Sequence, residues 1–137
     1  MKSSFLIFII SFAIWSCQGD FKPCALSKTS LTGTYKITAQ IIKKSTGEIV
    51  NGFTGWKPCQ LDDLYIFNSN GTFEYSEGTT SCTPPSSPLT QNWTLVGSKL
   101  TIGENEGSVS DFTCNSFKLI KQDPVSGSTI TSTYSRQ

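Results

Sequence analysis

Asp62 and Asp63 are the only adjacent carboxylates in the chain. Two such groups side by side can hold a cation, or divide the work of a general acid and a general base. Either job requires the two side chains to converge. Successive residues of a strand face opposite sides, so this pair reads as a charged strand entry rather than a shared site. Glu104, Glu106 and Asp111 could frame a loose calcium site, but they lack EF-hand spacing and read as a solvated loop. The chain has no histidine. That removes Ser-His-Asp and Cys-His catalysis, His-ligated zinc and histidine pH switching. No metal, no cofactor and no catalytic set is expected, and the chain reads as a non-enzyme.

Cysteine is the other reactive type, and five are present. Cys17 ends a segment with one early charge, Lys2, and an apolar run from Phe5 through Trp15 closed by Ser16. A charged start, a short apolar core and a small residue at a cut site make a secretory signal, too short to span a bilayer as a mature helix. Ile14-Trp15-Ser16-Cys17 resembles a bacterial lipobox. That resemblance implies cleavage before Cys17, a diacylglycerol on its sulfur and an acylated amino end carrying a chain such as palmitate. The expected organisation is a signal peptide over 1–16, a lipid-anchored tether over 17–30 and a domain over 31–137. The expected place is the outer membrane, on its periplasmic or cell-surface face. Cys24, Cys59, Cys82 and Cys114 then remain. An even number in an exported domain reads as two disulfides, with three connectivities open. The preferred pairing is Cys59–Cys82, bracketing an expected hairpin, with Cys24–Cys114 tying the tether to a late strand.

Length and charge narrow the class. The full chain has 137 residues, and removing the signal leaves one domain's worth, with a modest core. Eleven basic residues face ten acidic ones, and the signal carries away Lys2. A balanced chain without a basic stripe is not expected to bind nucleic acid. A monomer is expected, with the membrane reached through the lipid.

The elements that must position these residues read as strands. In Thr34–Ile41 the residues Tyr35, Ile37, Ala39 and Ile41 fall on one face. Ile49–Phe53 reads as a short strand, and Leu64–Phe67 as a dense one. Asn68-Ser69-Asn70-Gly71 is a strong hairpin turn, because Asn-Gly tolerates positive φ. Thr72–Tyr75 returns. Residues 78–91 form the longest irregular stretch. Trp93–Leu95 and Leu100–Ile102 flank a turn, Glu104–Gly107 reads as a polar loop, and Ser116–Ile120 with Ser128–Tyr134 makes the last hairpin. No amphipathic helix stands out. The expected fold is all-β, an up-and-down antiparallel meander, either a closed barrel or a sandwich.

Four stretches, Leu31–Ile37, Cys59–Phe73, Trp93–Ile102 and the last hairpin, together resemble the small lipocalin-like lipoproteins of Gram-negative bacteria. The resemblance covers roughly Leu31 to Arg136. It implies that the meander closes as a lipocalin-like barrel of ~8 strands, without exposed edges. Gly33-Thr34-Tyr35 resembles the Gly-x-Trp that plugs the closed end of such barrels, with tyrosine in place of tryptophan. There an arginine of the last strand stacks on the ring, which makes Tyr35 and Arg136 the barrel-closing pair.

Tyr35, Phe67, Phe73, Trp93 and Phe117 are the candidates to line the barrel, where inward side chains either fill the core or surround one small apolar ligand. Trp56, in a loop between Gly55 and Pro58, is a candidate to guard the mouth. The expected function is binding of a small apolar ligand without catalysis. The rival is an adhesin or envelope-assembly module with a filled barrel, binding a protein through its loops.

Overall fold

The computed structural model describes residues 24–85 and 87–137. The signal segment and Cys17 lie outside them. Nine strands make one antiparallel sheet: β1 (Gly33–Lys43), β2 (Ile49–Asn51), β3 (Leu64–Phe67), β4 (Thr72–Ser76), β5 (Leu89–Val96), β6 (Lys99–Ile102), β7 (Asn105–Ser110), β8 (Ser116–Gln122) and β9 (Thr129–Arg136). Each strand from β3 to β9 pairs with its sequence neighbour, and β9 returns to pair with β1. The result is a closed barrel of eight strands plus one extra strand, β2. Closure leaves the eight without a free edge.

The extra strand follows from how β1 divides its outer edge. Gly33, Thr34 and Tyr35 pair with β3, whereas Ile41, Ile42 and Lys43 pair with β2. Along its other edge β1 runs with β9 for its whole length, with one irregularity between Ile37 and Ala39. Thr38 is the extra residue there, a β-bulge, and it reverses which residues face inward. Tyr35 and Ile37 are buried, but Ala39 and Ile41 are exposed, while Gln40 and Ile42 are partly buried. The single apolar face expected across Tyr35, Ile37, Ala39 and Ile41 is therefore broken in its middle. Nothing local announces the bulge, since Thr38 is neither glycine nor proline.

Other boundaries also moved. Asn105–Ser110 is a strand, not a polar loop. Its inward positions, Gly107 and Val109, are too small and few to show as an apolar alternation. A Cβ on Gly107 would press on Leu119 Cδ1 at 2.8 Å and Lys121 Cγ at 3.0 Å, so the bare position makes room for β8. The expected Asn-Gly turn is present. Gly71 has φ 91° and donates to Asn68 O at 3.0 Å, while Thr72 N donates to Asn70 Oδ1 at 2.9 Å.

Residues 24–30 are folded onto the barrel. One helical turn, α1 (Lys28–Leu31), is capped by Ser27, whose side chain accepts from Ser30 N, and it ends in Leu31, fully buried. Cys24 is bonded to Cys114, in the turn between β7 and β8, across 90 residues. Cys59 is bonded to Cys82 across 23 residues, enclosing the β3–β4 hairpin. Closing such loops in the unfolded chain contributes about 2–4 kcal/mol each. Among the described residues no helix is long and apolar enough to cross a membrane.

Candidate functional site

The barrel has one plugged end. Arg136, at the end of β9, lies with its guanidinium carbon 5.0 Å from the Tyr35 ring centre. Its Nε donates to Cys114 O at 2.8 Å, Nη1 to Thr32 O at 2.9 Å, and Nη2 to Ser30 O and the Tyr35 hydroxyl, both at 2.7 Å. The Tyr35 hydroxyl donates in turn to Leu31 O at 3.0 Å. One side chain thus ties α1, the start of β1 and the turn before β8. Gly33 is required beside it: its φ is 153°, and a Cβ there would overlap Arg136 Nη1. Lys28 adds a second cation on this side, 5.5 Å above the Trp93 ring.

Above the plug the interior is filled by rings. Phe67 is the hub, meeting Tyr35 at 5.9 Å, Phe73 at 5.1 Å, Trp93 at 5.3 Å and Phe117 at 6.1 Å, all edge-on. Trp93 donates its indole N–H to Asn68 O at 3.0 Å. Tyr35, Phe67, Phe73, Trp93 and Phe117 therefore pack on one another as a solid floor rather than as the lining of an open cavity. Their burial explains this, because Tyr35, Phe67, Trp93 and Phe117 are each at most 1% exposed.

Higher up, the interior turns polar. Asp63 is buried, only 3% exposed, and its Oδ2 accepts from the Tyr75 hydroxyl at 2.5 Å. Asp62 takes a different partner, its Oδ2 accepting from Thr80 N at 2.9 Å, and its Oδ1 is buried without a hydrogen-bond partner. The two carboxylates have separate partners, but Asp63 is not a solvated strand entry. Tyr65 stands between Tyr75 and Tyr134, with ring centres 5.6 and 5.4 Å away. Burial pushes the Tyr65 hydroxyl well above the ordinary tyrosine range, and Tyr134, Tyr75 and Asp63 add repulsion against its anion. Burial alone raises Tyr134.

These shifts fix an alkaline limit. The folded state keeps protons that unfolded tyrosines release above their ordinary value of 10.0. The stability they contribute is fully present below pH 10 and is lost as pH climbs past it. Each tyrosine costs up to about 1.4 kcal/mol per pH unit in that window. Lys121, whose ammonium burial holds below its ordinary value, acts in the opposite sense but stands alone against Tyr65 and Tyr134, with the smaller rise of buried Tyr35 on their side. The urea midpoint should fall steeply between about pH 10 and pH 12, and Tyr134→Phe should remove roughly half of the slope. An unchanged slope in that variant would show that Tyr134 does not hold its proton.

A separate concavity of about 410 Å³ sits at the β1 bulge, lined by Thr38, Ala39, Gln40, Ile41, Ile49, Val50, Asn51 and Phe53. Gly52 closes over it, donating N–H to Gln40 O at 2.8 Å. Ile41 and Ile49 are 49% and 68% exposed, so the concavity opens on the side of the barrel. Trp56 is not at an open mouth of the ring-filled interior. Its ring lies 5.0 Å from Phe53 and backs that wall. Alternation from Tyr35 alone missed this site, because the bulge creates it.

The remaining acidic candidates are kept apart. Glu106 pairs with Lys99 and Asp111 with Lys118, each at 2.6 Å and solvent-exposed, and Glu104 lies in the turn before β7. Among the described residues, no group of three or more metal-ligating side chains is assembled.

A closed antiparallel barrel, plugged at one end by an aromatic–arginine pair behind a short helical turn, defines a lipocalin-type protein. The model of the lipocalin-like domain family matches residues 31–120, and the chain belongs to that family. No curated protein matches it.

Proposed function

We propose that this protein is a cell-envelope lipoprotein whose barrel binds a small, largely apolar molecule and performs no chemistry on it. The observation that carries the reading is the concavity at the bulge. Its volume of about 410 Å³ falls in the range of small-molecule sites, and an apolar lining with a few polar groups is their usual composition. Ala39, Ile41, Ile49, Val50 and Phe53 supply the apolar surface, and Thr38, Gln40 and Asn51 the orienting groups. The Ile14-Trp15-Ser16-Cys17 run supports anchoring through a lipid on Cys17, in the outer membrane on its periplasmic or surface face. A balanced charge supports a protein that does not engage nucleic acid.

The test uses N-phenyl-1-naphthylamine, a neutral apolar fluorophore, with the domain refolded in oxidising buffer. Saturable fluorescence enhancement is expected, and Phe53→Ala should weaken it about tenfold, or ~1.4 kcal/mol. A non-saturable signal, or equal affinity in the variant, would sink the reading. Incorporation of labelled palmitate into the full chain, lost in Cys17→Ser, tests the anchor.

One observation favours the rival, a module that binds a protein partner: the floor of the barrel is solid, and Ile41 and Ile49 are exposed side by side. Failure of the fluorophore to bind would favour that reading.

A further inference from the structure

The polar cluster in the upper interior has an unmet requirement. Among the described residues Asp63 is the only buried acidic side chain. One of its oxygens, Oδ2, has the Tyr75 hydroxyl; the other, Oδ1, is buried and has no hydrogen-bond partner. None of the ion pairs formed by the described residues involves it. A buried acceptor without a donor is costly, and a buried carboxylate without a counter-charge more so. The fold nevertheless keeps the group inside. The segments on either side of the β3–β4 hairpin are bonded through Cys59–Cys82, and Thr80 N is held by Asp62, so the chain next to Asp63 is fastened at two points.

The surroundings say what would satisfy Oδ1. Tyr75 touches the carboxylate through its hydroxyl, and the Tyr65 ring, on the neighbouring strand, packs 5.6 Å from Tyr75. Tyr65 is turned 61° to Tyr75, so the two rings do not stack flat, and both are only partly buried. Ring faces attract cations, and Oδ1 needs a hydrogen-bond donor. A group that meets both needs carries N–H and a positive charge. A quaternary ammonium has the charge without the N–H, and an alcohol has a donor without the charge.

We propose that Asp63, Tyr65 and Tyr75 form a binding site for a primary alkylammonium ion, whose N–H reaches Asp63 Oδ1 while its charge lies against the two tyrosine rings. This site is distinct from the concavity at the β1 bulge and does not depend on it.

Isothermal titration calorimetry at neutral pH, on the disulfide-bonded domain, tests the proposal with 2-phenylethylamine. Two controls each remove one feature: trimethyl(2-phenylethyl)ammonium and 2-phenylethanol. The amine is expected to bind saturably and at least tenfold more tightly than either control. Asp63→Asn should weaken it tenfold or more, and Phe53→Ala should leave it unchanged. Because Asp63→Asn can also perturb folding, the wild-type domain is followed by NMR in parallel, where the amine should shift the Asp63 and Tyr65 resonances first. No saturable heat, equal binding of either control, undiminished binding by a folded Asp63→Asn, or shifts confined to residues away from Asp63 would each overturn the proposal. Loss of amine binding in Phe53→Ala would instead assign the amine to the concavity at the bulge, and would overturn it too.

Discussion

Replacing Arg136 with alanine should lower stability by about 3 kcal/mol, with a fall in Tm on the order of 10 °C. The figure follows from what the guanidinium holds. It donates to three carbonyls, of Cys114, Thr32 and Ser30, and to the Tyr35 hydroxyl, at 2.7–2.9 Å. Hydrogen bonds from a charged donor contribute about 1.5–3 kcal/mol each. Water entering the truncated site recovers part of that, so the four do not sum. The stacking on Tyr35 adds about 0.5–1 kcal/mol at a partly exposed position. Arg136→Lys keeps the charge but loses the planar fork, and its single ammonium cannot span acceptors on α1 and on the turn before β8 at once. It should recover less than half of the loss. Tyr35→Phe, which deletes only the hydroxyl, should cost about 1 kcal/mol, and the double variant should show coupling of similar size. Urea midpoints for the four proteins settle the matter. Independent, additive losses would mean that the Tyr35 hydroxyl and the guanidinium do not act as one unit.

The parts of this architecture that were readable from sequence are those set by local rules. Asn70-Gly71 announces its hairpin because the turn needs positive φ, and Leu64–Phe67 announces a strand because four large residues in a row suit little else. The spacing of such hairpins leaves a closed barrel and a sandwich both open; closure is implied by the family resemblance, and the matching family model and the sheet order agree with it. What stayed hidden depends on distant partners. Asp63 reads as a charged strand entry until Tyr75, on the next strand, donates a hydroxyl to it. The concavity depends on Thr38, an ordinary strand residue that becomes a bulge only because β9 fixes the register on both sides of it. Asn105–Ser110 reads as a loop because its inward positions are small, and they are small because Leu119 and Lys121 need the space.

Phe67→Ala should be among the most damaging single changes in the barrel, costing about 3–5 kcal/mol. Phe67 is 1% exposed and is the one ring in contact with Tyr35, Phe73, Trp93 and Phe117 together. Removing it takes away the transfer energy of a benzyl group. It also leaves a void, because its neighbours are held by their own strands and cannot all collapse inward. Trp93 is fixed by its bond to Asn68 O and Tyr35 by Leu31 and Arg136. Leu89→Ala, at a rim residue 46% exposed, should cost under about 0.5 kcal/mol and serves as the control. The void in Phe67→Ala is apolar on every side, so it should stay dry and accept benzene, as engineered apolar cavities do. Added benzene should then raise the Tm of Phe67→Ala by several degrees while leaving the wild type unmoved. That contrast separates two kinds of barrel. If benzene stabilises only the variant, the native floor is solid, and the native ligand must sit at the bulge or in the polar cluster above. If benzene stabilises the wild type as well, the rings yield to a guest, and the interior is itself a binding site.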